Sequence, residues 1–331
     1  MIFIIDIPDE TAAGFAFAPI LGSPAAAFIA RAALSAGAVD VRVYCDEPRR
    51  REIIGRETDL SFVSAPERDD AVSNGATVFV PDGLLPPDKY GNRLAYRNAY
   101  ERAETAGILK REINTGFLAG GVFILDPENT YIGPCVRIGA GTVIYPGNVL
   151  EGRTVIGADC ELGVGNRIRS SVLGDGCGVQ YTVITDSLLA DGVKIGPFCH
   201  IRPGSKIARG VKIGDFVEVK NSGLGEGTKV PHLSYIGDSD VGARVNFGCG
   251  CVTVNYDGDR KQRTKIGDDV FIGCNANMIA PAELGDGSYI AAGSTIDRDV
   301  PAGAFAIARA RQVIKETWIP PNKRGGNPPP A

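Results

Sequence analysis

From Ile132 onward an aliphatic residue returns at every sixth position: Ile132, Ile138, Ile144, Leu150, Ile156, Leu162 and Ile168. The rhythm slips by one, resumes at Leu173 and Val179, slips again, and continues through Leu189, Ile195, Ile201, Ile207, Ile213 and Val219. Glycine often follows the aliphatic residue, as in Ile138-Gly139, Ile156-Gly157, Ile213-Gly214 and Ile272-Gly273. A period of six matches neither an α-helix nor a single amphipathic strand. It matches a short strand plus a corner, with the aliphatic side chain inward and Gly or Asn taking the tight turn. Three such units close a triangular coil of about 18 residues. Stacked at about 4.8 Å, residues 130–300 would make roughly nine coils and a prism of about 45 Å. Between Phe247 and Ile266 the pattern lapses over a polar stretch with an Asp257-Gly258 turn, which predicts a loop thrown out from a corner.

Residues 1–115 have another texture. MIFIID, VDVRVYC and ATVFVP read as buried strands, and SPAAAFIARAALSAG and AYRNAYERAETAGILKREIN read as helices, an α/β alternation. Residues 116–131 form a junction, residues 132–300 carry the repeat, and residues 301–331 lose it. That last stretch is expected to be an arm or short helix ending in a disordered Pro-rich tail.

Composition narrows the function. The 331 residues carry a net charge of −4, which argues against a nucleic-acid partner and requires that any polyanionic ligand be met by a local basic cluster. Eight cysteines without a CxxC, beside two histidines, exclude an obvious zinc site, so no metal is expected. Asp6 interrupts the first apolar run, so no secretory signal is read. The uncharged run from Phe15 to Ala30 is short and broken by Pro19, Gly22 and Pro24, so it is not read as a membrane span. Free thiols point to a cytoplasmic chain.

The hexapeptide pattern is the hallmark of the left-handed parallel β-helix, a handedness that rests on resemblance, because it breaks the usual right-handed crossover rule. A closer likeness lies in FLAGGVFILDPENTYIG, IGPFCHIRPGSKI, GDFVEVKNSGLGEGTKVPHLSYIGDSDVGARVNFGCG, VNYDGDRKQRTKIGDDVFIG, IAAGST and AIAR. These resemble the bacterial bifunctional N-acetylglucosamine-1-phosphate uridyltransferase/glucosamine-1-phosphate acetyltransferase family, from Gly116 onward. In that family a nucleotidyltransferase domain of roughly twice the length precedes the repeat and opens with a Gly-rich, Arg-containing loop. Here the first strand runs into DIPDETAAGFAFAPILGSP, with no such loop and no Lys or Arg before Arg31. A triphosphate is held by backbone N–H groups and basic side chains, so the uridyltransfer site is expected to be lost. Asn92 resembles the family's metal-binding Asn but has no counterpart for its partner Asp.

The resemblance implies acetyl transfer from acetyl-CoA, as co-substrate, to the amino group of glucosamine 1-phosphate, with no metal required. His232, in VPHLSYIGD, stands in the position of the general base, a task suited to an imidazole near neutral pH. His200 is not called for and reads as structural. Arg202, Lys220, Tyr235 and Asn246 match contacts to the sugar phosphate, with Arg suited to bidentate capture and Lys to a point-charge contact. Cys249, Asn255, Tyr256, Lys261, Cys274, Ala292 and Arg309 match positions near the acetyl donor. Arg260, Lys261, Arg263 and Lys265 are the densest basic cluster in the chain and offer a counter-charge to the CoA phosphates. Cys249 and Cys274 replace a small Ala and a Ser of the family; Cys249 and Cys251 share a strand face by spacing and are expected to be buried small hydrophobes. The resemblance further implies a homotrimer, and acetylation that feeds UDP-N-acetylglucosamine and cell-wall precursor synthesis. A bifunctional enzyme, an acyltransferase with another acceptor and a non-catalytic trimeric scaffold are the competing readings.

Overall fold

The structure is a computed structural model and describes residues 2–7, 12–13, 16, 19–20, 23–35, 38–45, 47–58, 60–74, 76–81, 85 and 94–318. Asn92, the tail from 319 onward and part of the Phe15–Ala30 run lie outside the described residues. No helix among the described residues is long and apolar enough to cross a membrane.

The chain opens with β1 (Ile2–Asp6), α1 (Ala25–Ser35), β2 (Asp40–Tyr44), α2 (Pro48–Glu57), β3 (Ser61–Val63), α3 (Ala65–Ser73) and β4 (Thr77–Phe79). The four strands form one parallel sheet in the order β3-β2-β1-β4. Helices cover a parallel sheet, so its central strand reads as a continuous aliphatic run; Ile4 and Ile5 of β1 are fully buried. The long helix α4 (Ala99–Ala119) begins at Asn98, whose side chain accepts a hydrogen bond from the Glu101 amide at 3.0 Å. Its buried Asn114 donates to the carbonyls of Pro127 (2.8 Å) and Thr130 (3.1 Å), fixing the helix to the first coil.

The rest is a left-handed parallel β-helix of three sheets with eleven, ten and nine strands. The first sheet begins at Phe123–Ile124, the second at Tyr131–Ile132 and the third at Arg137–Ile138. Successive coils pair in register, as in Ile195↔Ile213, Ile201↔Val219 and Ile207↔Leu224. All the aliphatic residues of the six-residue series lie buried inside the prism except Ile138, which is partly exposed at its lower end. Full burial of each stabilises the fold by about 1.5–3 kcal/mol. The strands Phe123–Ile124 and Phe305–Ala306 extend the prism beyond the rhythmic stretch at both ends. The short helical turn Pro127–Asn129 breaks the six-residue count after the first of them, which hides that strand from periodicity.

Two features of the corners depart from the simple pattern. Asn148 and Asn166 point inward and are satisfied: Asn166 Nδ2 donates to Asn148 Oδ1 at 2.9 Å, and Asn148 Nδ2 to the Gly163 carbonyl at 2.8 Å. At the corner joining the first and second sheets, Gly165 and Gly250 take the left-handed conformation as expected, but Tyr181, Phe198, Phe216 and Leu233 take it too. That conformation costs roughly 1–2 kcal/mol for a residue with a side chain. The rings of Tyr181, Phe198 and Phe216 offset part of it by stacking at 5.3 and 5.4 Å, yet they remain half exposed.

Candidate active site

His232 ends the strand Lys229–His232 of the first sheet, and Asp215 ends Lys212–Asp215 in the coil below; the two are register partners. His232 Nδ1 lies 2.9 Å from Asp215 Oδ1, and both side chains reach solvent. The hydrogen bond to His232 holds the Asp215 carboxyl below the usual carboxylate range. With Nδ1–H directed at the carboxylate, Nε2 is left free to accept a proton. Asp215 was not singled out in the sequence, because a partner 17 positions away is visible only once the register is known.

A short turn carries the chain from His232 into Tyr235–Gly237 of the second sheet. On that sheet's outer face sit Arg202, Glu218, Lys220 and Tyr235. Arg202 donates to Glu218 Oε1 at 2.8 Å. Lys220 is mostly buried, 3.5 Å from Asp238 Oδ2, and Asp238 is only 7% exposed. Asn221 and Asn255 both donate to the Asp238 carboxylate, and Asn255 also donates to the Tyr235 hydroxyl at 3.3 Å. Burial pushes the Asp238 carboxyl up, but the hydrogen bonds from Asn221 and Asn255 and the charge of Lys220 together hold it below its ordinary value. Asp238 fixes Lys220, Asn221 and Asn255 at once.

Lys261 reaches back from the loop to the Lys220 side chain, and the neighbouring Lys220 charge lowers the Lys261 pKa. Arg202 is close enough to lower Lys261 further. Three basic side chains thus converge, Arg202 paired with Glu218 and Lys220 with Asp238, and Lys261 with no ion pair among those described. Such a cluster suits a dianionic phosphate.

The remaining basic residues of the loop do not join it. Arg263 pairs with Asp240 through Nε at 3.0 Å and Nη2 at 2.5 Å, Lys265 with Glu283 at 3.0 Å, and Arg260 with Asp259 at 3.2 Å. The sequence reading offers the four as a counter-charge to the CoA phosphates; three of them already pair with carboxylates, mainly from neighbouring coils.

Cys249, Cys274 and Ala292 continue the His232 corner upward. Counting on from Lys229↔Asn246, Asn246↔Phe271 and Phe271↔Tyr289 places them in three successive coils above His232. Cys249 is half-buried and Cys274 exposed, whereas Cys251 is fully buried and its thiol, pushed up to about 11 by burial, donates to the Gly273 carbonyl at 3.3 Å. The expectation that Cys249 and Cys251 form a matched buried pair therefore fails. Cys249 has already entered the turn, so alternation along a flat strand does not apply to it. Arg309 closes the column, its side chain packing over Gly293. Asn246 stands on the first sheet between Lys229 and Phe271, and Tyr256 is exposed on the loop with its hydroxyl donating to the Gly258 carbonyl at 2.6 Å. The His200 imidazole, exposed on the second sheet, makes no polar contact among those described, and its backbone amide donates to the Val217 carbonyl at 3.0 Å.

Comparison with known proteins matches these coils. A model of the bacterial transferase hexapeptide (six repeats) fits residues 186–221 and 263–298. The bifunctional protein GlmU of Thermoanaerobacter pseudethanolicus is 57% identical over 216 residues, 65% of this chain and 47% of that one. The C-terminal part of the chain is GlmU-like. The GlmU of a Geobacillus species is 55% identical over 217 residues, and that of Clostridium botulinum 47% identical over 236. The chain spans about half the length of the GlmU proteins it matches. Among solved structures, a UDP-N-acetylglucosamine acyltransferase of Francisella novicida is 18% identical, covering 56% of this chain and 67% of that one at a TM-score of 0.34.

Two expectations follow from the geometry. A Cβ on Gly237 would stand 2.3 Å from the Tyr235 hydroxyl oxygen, so the phenol lies across this glycine. Gly237→Ala should swing Tyr235 off the face, raise the acceptor KM by about tenfold and leave the fold intact, since only a side-chain tip must move; steady-state kinetics and a thermal melt check both halves. Asp215→Asn should lower kcat by about tenfold, because the imidazole loses the carboxylate that orients it. A tenfold loss that persists in a His232→Ala background would show that Asp215 does not act through His232.

Proposed function

We propose that the chain transfers the acetyl group of acetyl-CoA to the 2-amino group of glucosamine 1-phosphate, giving N-acetylglucosamine 1-phosphate and CoA. The observation that carries this reading is the convergence of Arg202, Lys220 and Lys261 beside Tyr235, one short turn from the His232–Asp215 pair. A phosphate held by the three cations would bring the amine of a small sugar to the imidazole. His232 Nε2 takes the proton as the amine nitrogen attacks the thioester carbonyl. The C–N bond forms, the tetrahedral intermediate collapses with loss of the CoA thiolate, and the imidazolium returns the proton to that sulfur. The donor is proposed to lie along the Cys249, Cys274 and Ala292 column with Arg309 near its far end, while Asn255 is tied to Asp238 in the acceptor cluster and Tyr256 stands exposed on the loop. The chemistry asks for no metal. The likeness to GlmU relatives supports an acetyltransferase; the amino-sugar phosphate is the finer part of the proposal.

The N-terminal unit supports loss of uridyl transfer. In an open parallel sheet ligands sit beyond the carboxyl ends of the strands. At the end of β1 that position holds Asp6, buried and bound to Arg68, whose Nε donates to it at 3.1 Å while its guanidinium lies 5.2 Å from the Tyr44 ring. A homotrimer is part of the proposal: the half-exposed Tyr181, Phe198 and Phe216 along the lower part of one corner and the exposed Val313, Ile314 and Trp318 of the arm are apolar surface that a neighbouring copy would cover, leaving the His232, Cys249 and Cys274 stretch above them open to ligands. The acceptor is tested by comparing glucosamine 1-phosphate with glucosamine under saturating acetyl-CoA. A loss of at least a hundredfold in kcat/KM without the phosphate is expected, and equal use of both would assign the cations another task.

A further inference from the structure

Cys249 and Cys274 are the two thiols of the described prism that reach its surface corner in adjacent coils. The Asn275 amide donates to the Cys249 carbonyl at 2.7 Å, tying the two turns together. Register partners in neighbouring coils stand about 4.8 Å apart at Cα, inside the roughly 4.4–6.8 Å span that a disulfide bridges. Neither thiol has a hydrogen bond among those described, in contrast to Cys160, Cys177, Cys199 and Cys251, each of which donates to a carbonyl inside the prism. One thiol, that of Cys274, is exposed to an oxidant and the other lies half-buried beside it as a resolving group, the arrangement of a thiol pair that oxidises reversibly.

We propose that Cys249 and Cys274 are a reversible oxidation site that couples hydroperoxide to the donor side of the active site. The Cys274 thiolate attacks the terminal oxygen of a hydroperoxide, the O–O bond breaks, and an alcohol leaves with a sulfenic acid on Cys274. The Cys249 sulfur then attacks that sulfur and expels water. Overall two thiols and one hydroperoxide give one disulfide, one alcohol and one water. A dithiol reductant reverses the bridge by exchange. The consequence for activity rests on the proposed acetyl transfer: a cross-link on the column directly above His232 occupies the edge along which the acetyl thioester must lie. Cys160 and Cys177 serve as the internal comparison, since they also follow one another in successive coils but are both buried.

The full-length protein is reduced, exposed to hydrogen peroxide, quenched, and mapped by peptide mass, with acetyl transfer measured on the same samples. The expected result is a peptide joining Cys249 to Cys274 with loss of two hydrogens, no bridge at Cys160–Cys177, and at least a fivefold fall in rate that dithiothreitol restores. Cys249→Ser and Cys274→Ser should form no bridge, and Cys274→Ser, which lacks the peroxide-reactive thiol, should keep its own pre-oxidation rate through the same peroxide exposure before any dithiothreitol is added. If Cys274 proceeds to sulfinic acid without bridging, or if the bridge forms with no change in rate, the proposal is overturned. A reduced protein that shows no acetyl transfer at all instead removes the functional reading, while the mass map still decides whether the thiols pair.

Discussion

His232→Ala should lower kcat for acetyl transfer by about a hundredfold or more, with little change in the acceptor KM. The imidazole is more than half exposed and contributes its one ring hydrogen bond to Asp215, so its removal leaves no buried group without a partner and no cavity in the prism. What it removes is the acceptor for the amine proton, and general bases contribute about 10²–10⁴ in rate. The pattern therefore discriminates between roles. A loss confined to kcat, with an unchanged melting curve, identifies a group that acts on the reacting atoms. A loss confined to KM would make His232 a binding residue and move the base elsewhere. His200→Ala supplies the comparison: this imidazole is exposed on the neighbouring sheet with no described polar contact, and its loss should leave the rate within a factor of two.

Lys220→Ala should have the second-largest effect, acting on the acceptor. Lys220 is 18% exposed and bound to a carboxylate that is 7% exposed, so its charge works in a poorly solvated setting. Loss of the acceptor phosphate contact should raise KM on the order of a hundredfold, about 2.7 kcal/mol. Lys220→Arg should not restore it, because the planar guanidinium cannot fill the same pocket between Asp238 and Lys261. Lys261→Ala, at the solvent side of the cluster, should cost nearer tenfold. The substitution at Lys220 also touches stability. Asp238 has a folded pKa below its unfolded value, so its carboxylate stabilises the protein above the unfolded pKa, and that contribution is lost as pH falls through the folded pKa. Without Lys220 the folded pKa rises, and acid unfolding should begin at higher pH than in the wild type. Lys220→Ala melted against pH, beside the kinetic measurement, separates the two consequences.

Much of this architecture is readable before any coordinates. One aliphatic residue in six, with glycine at the turns, leaves a three-sided coil as the arrangement that buries Ile195, Ile201 and Ile207 together. His232, Lys220, Tyr235 and Lys261 were identifiable from the stretches that carry them, and the structure gathers Lys220, Tyr235 and Lys261 around Asp238 with His232 one turn away. The partners of these residues were not. Asp215 and Asp238 lie on other turns of the prism, and which residues stack depends on coil length. Two register slips and the loop between Val254 and Thr264 make those lengths unequal, so counting in eighteens misplaces Cys274 relative to Cys249. The same cause hid the neutralisation of Arg263 by Asp240 and of Lys265 by Glu283, which are neighbours across the loop coil. The aromatic residues at left-handed corners run against backbone preference altogether, which is why glycine and asparagine were expected there.

We propose that the His232 corner and the Lys220 cluster together acetylate a phosphorylated amino sugar. The most direct test is free-CoA release from acetyl-CoA by the full chain, with glucosamine 1-phosphate as acceptor, wild type against His232→Ala. Turnover that depends on the acceptor and falls at least a hundredfold in the variant is the predicted result. A folded wild type that releases no CoA with this acceptor, or a variant that turns over as fast as the wild type, contradicts it.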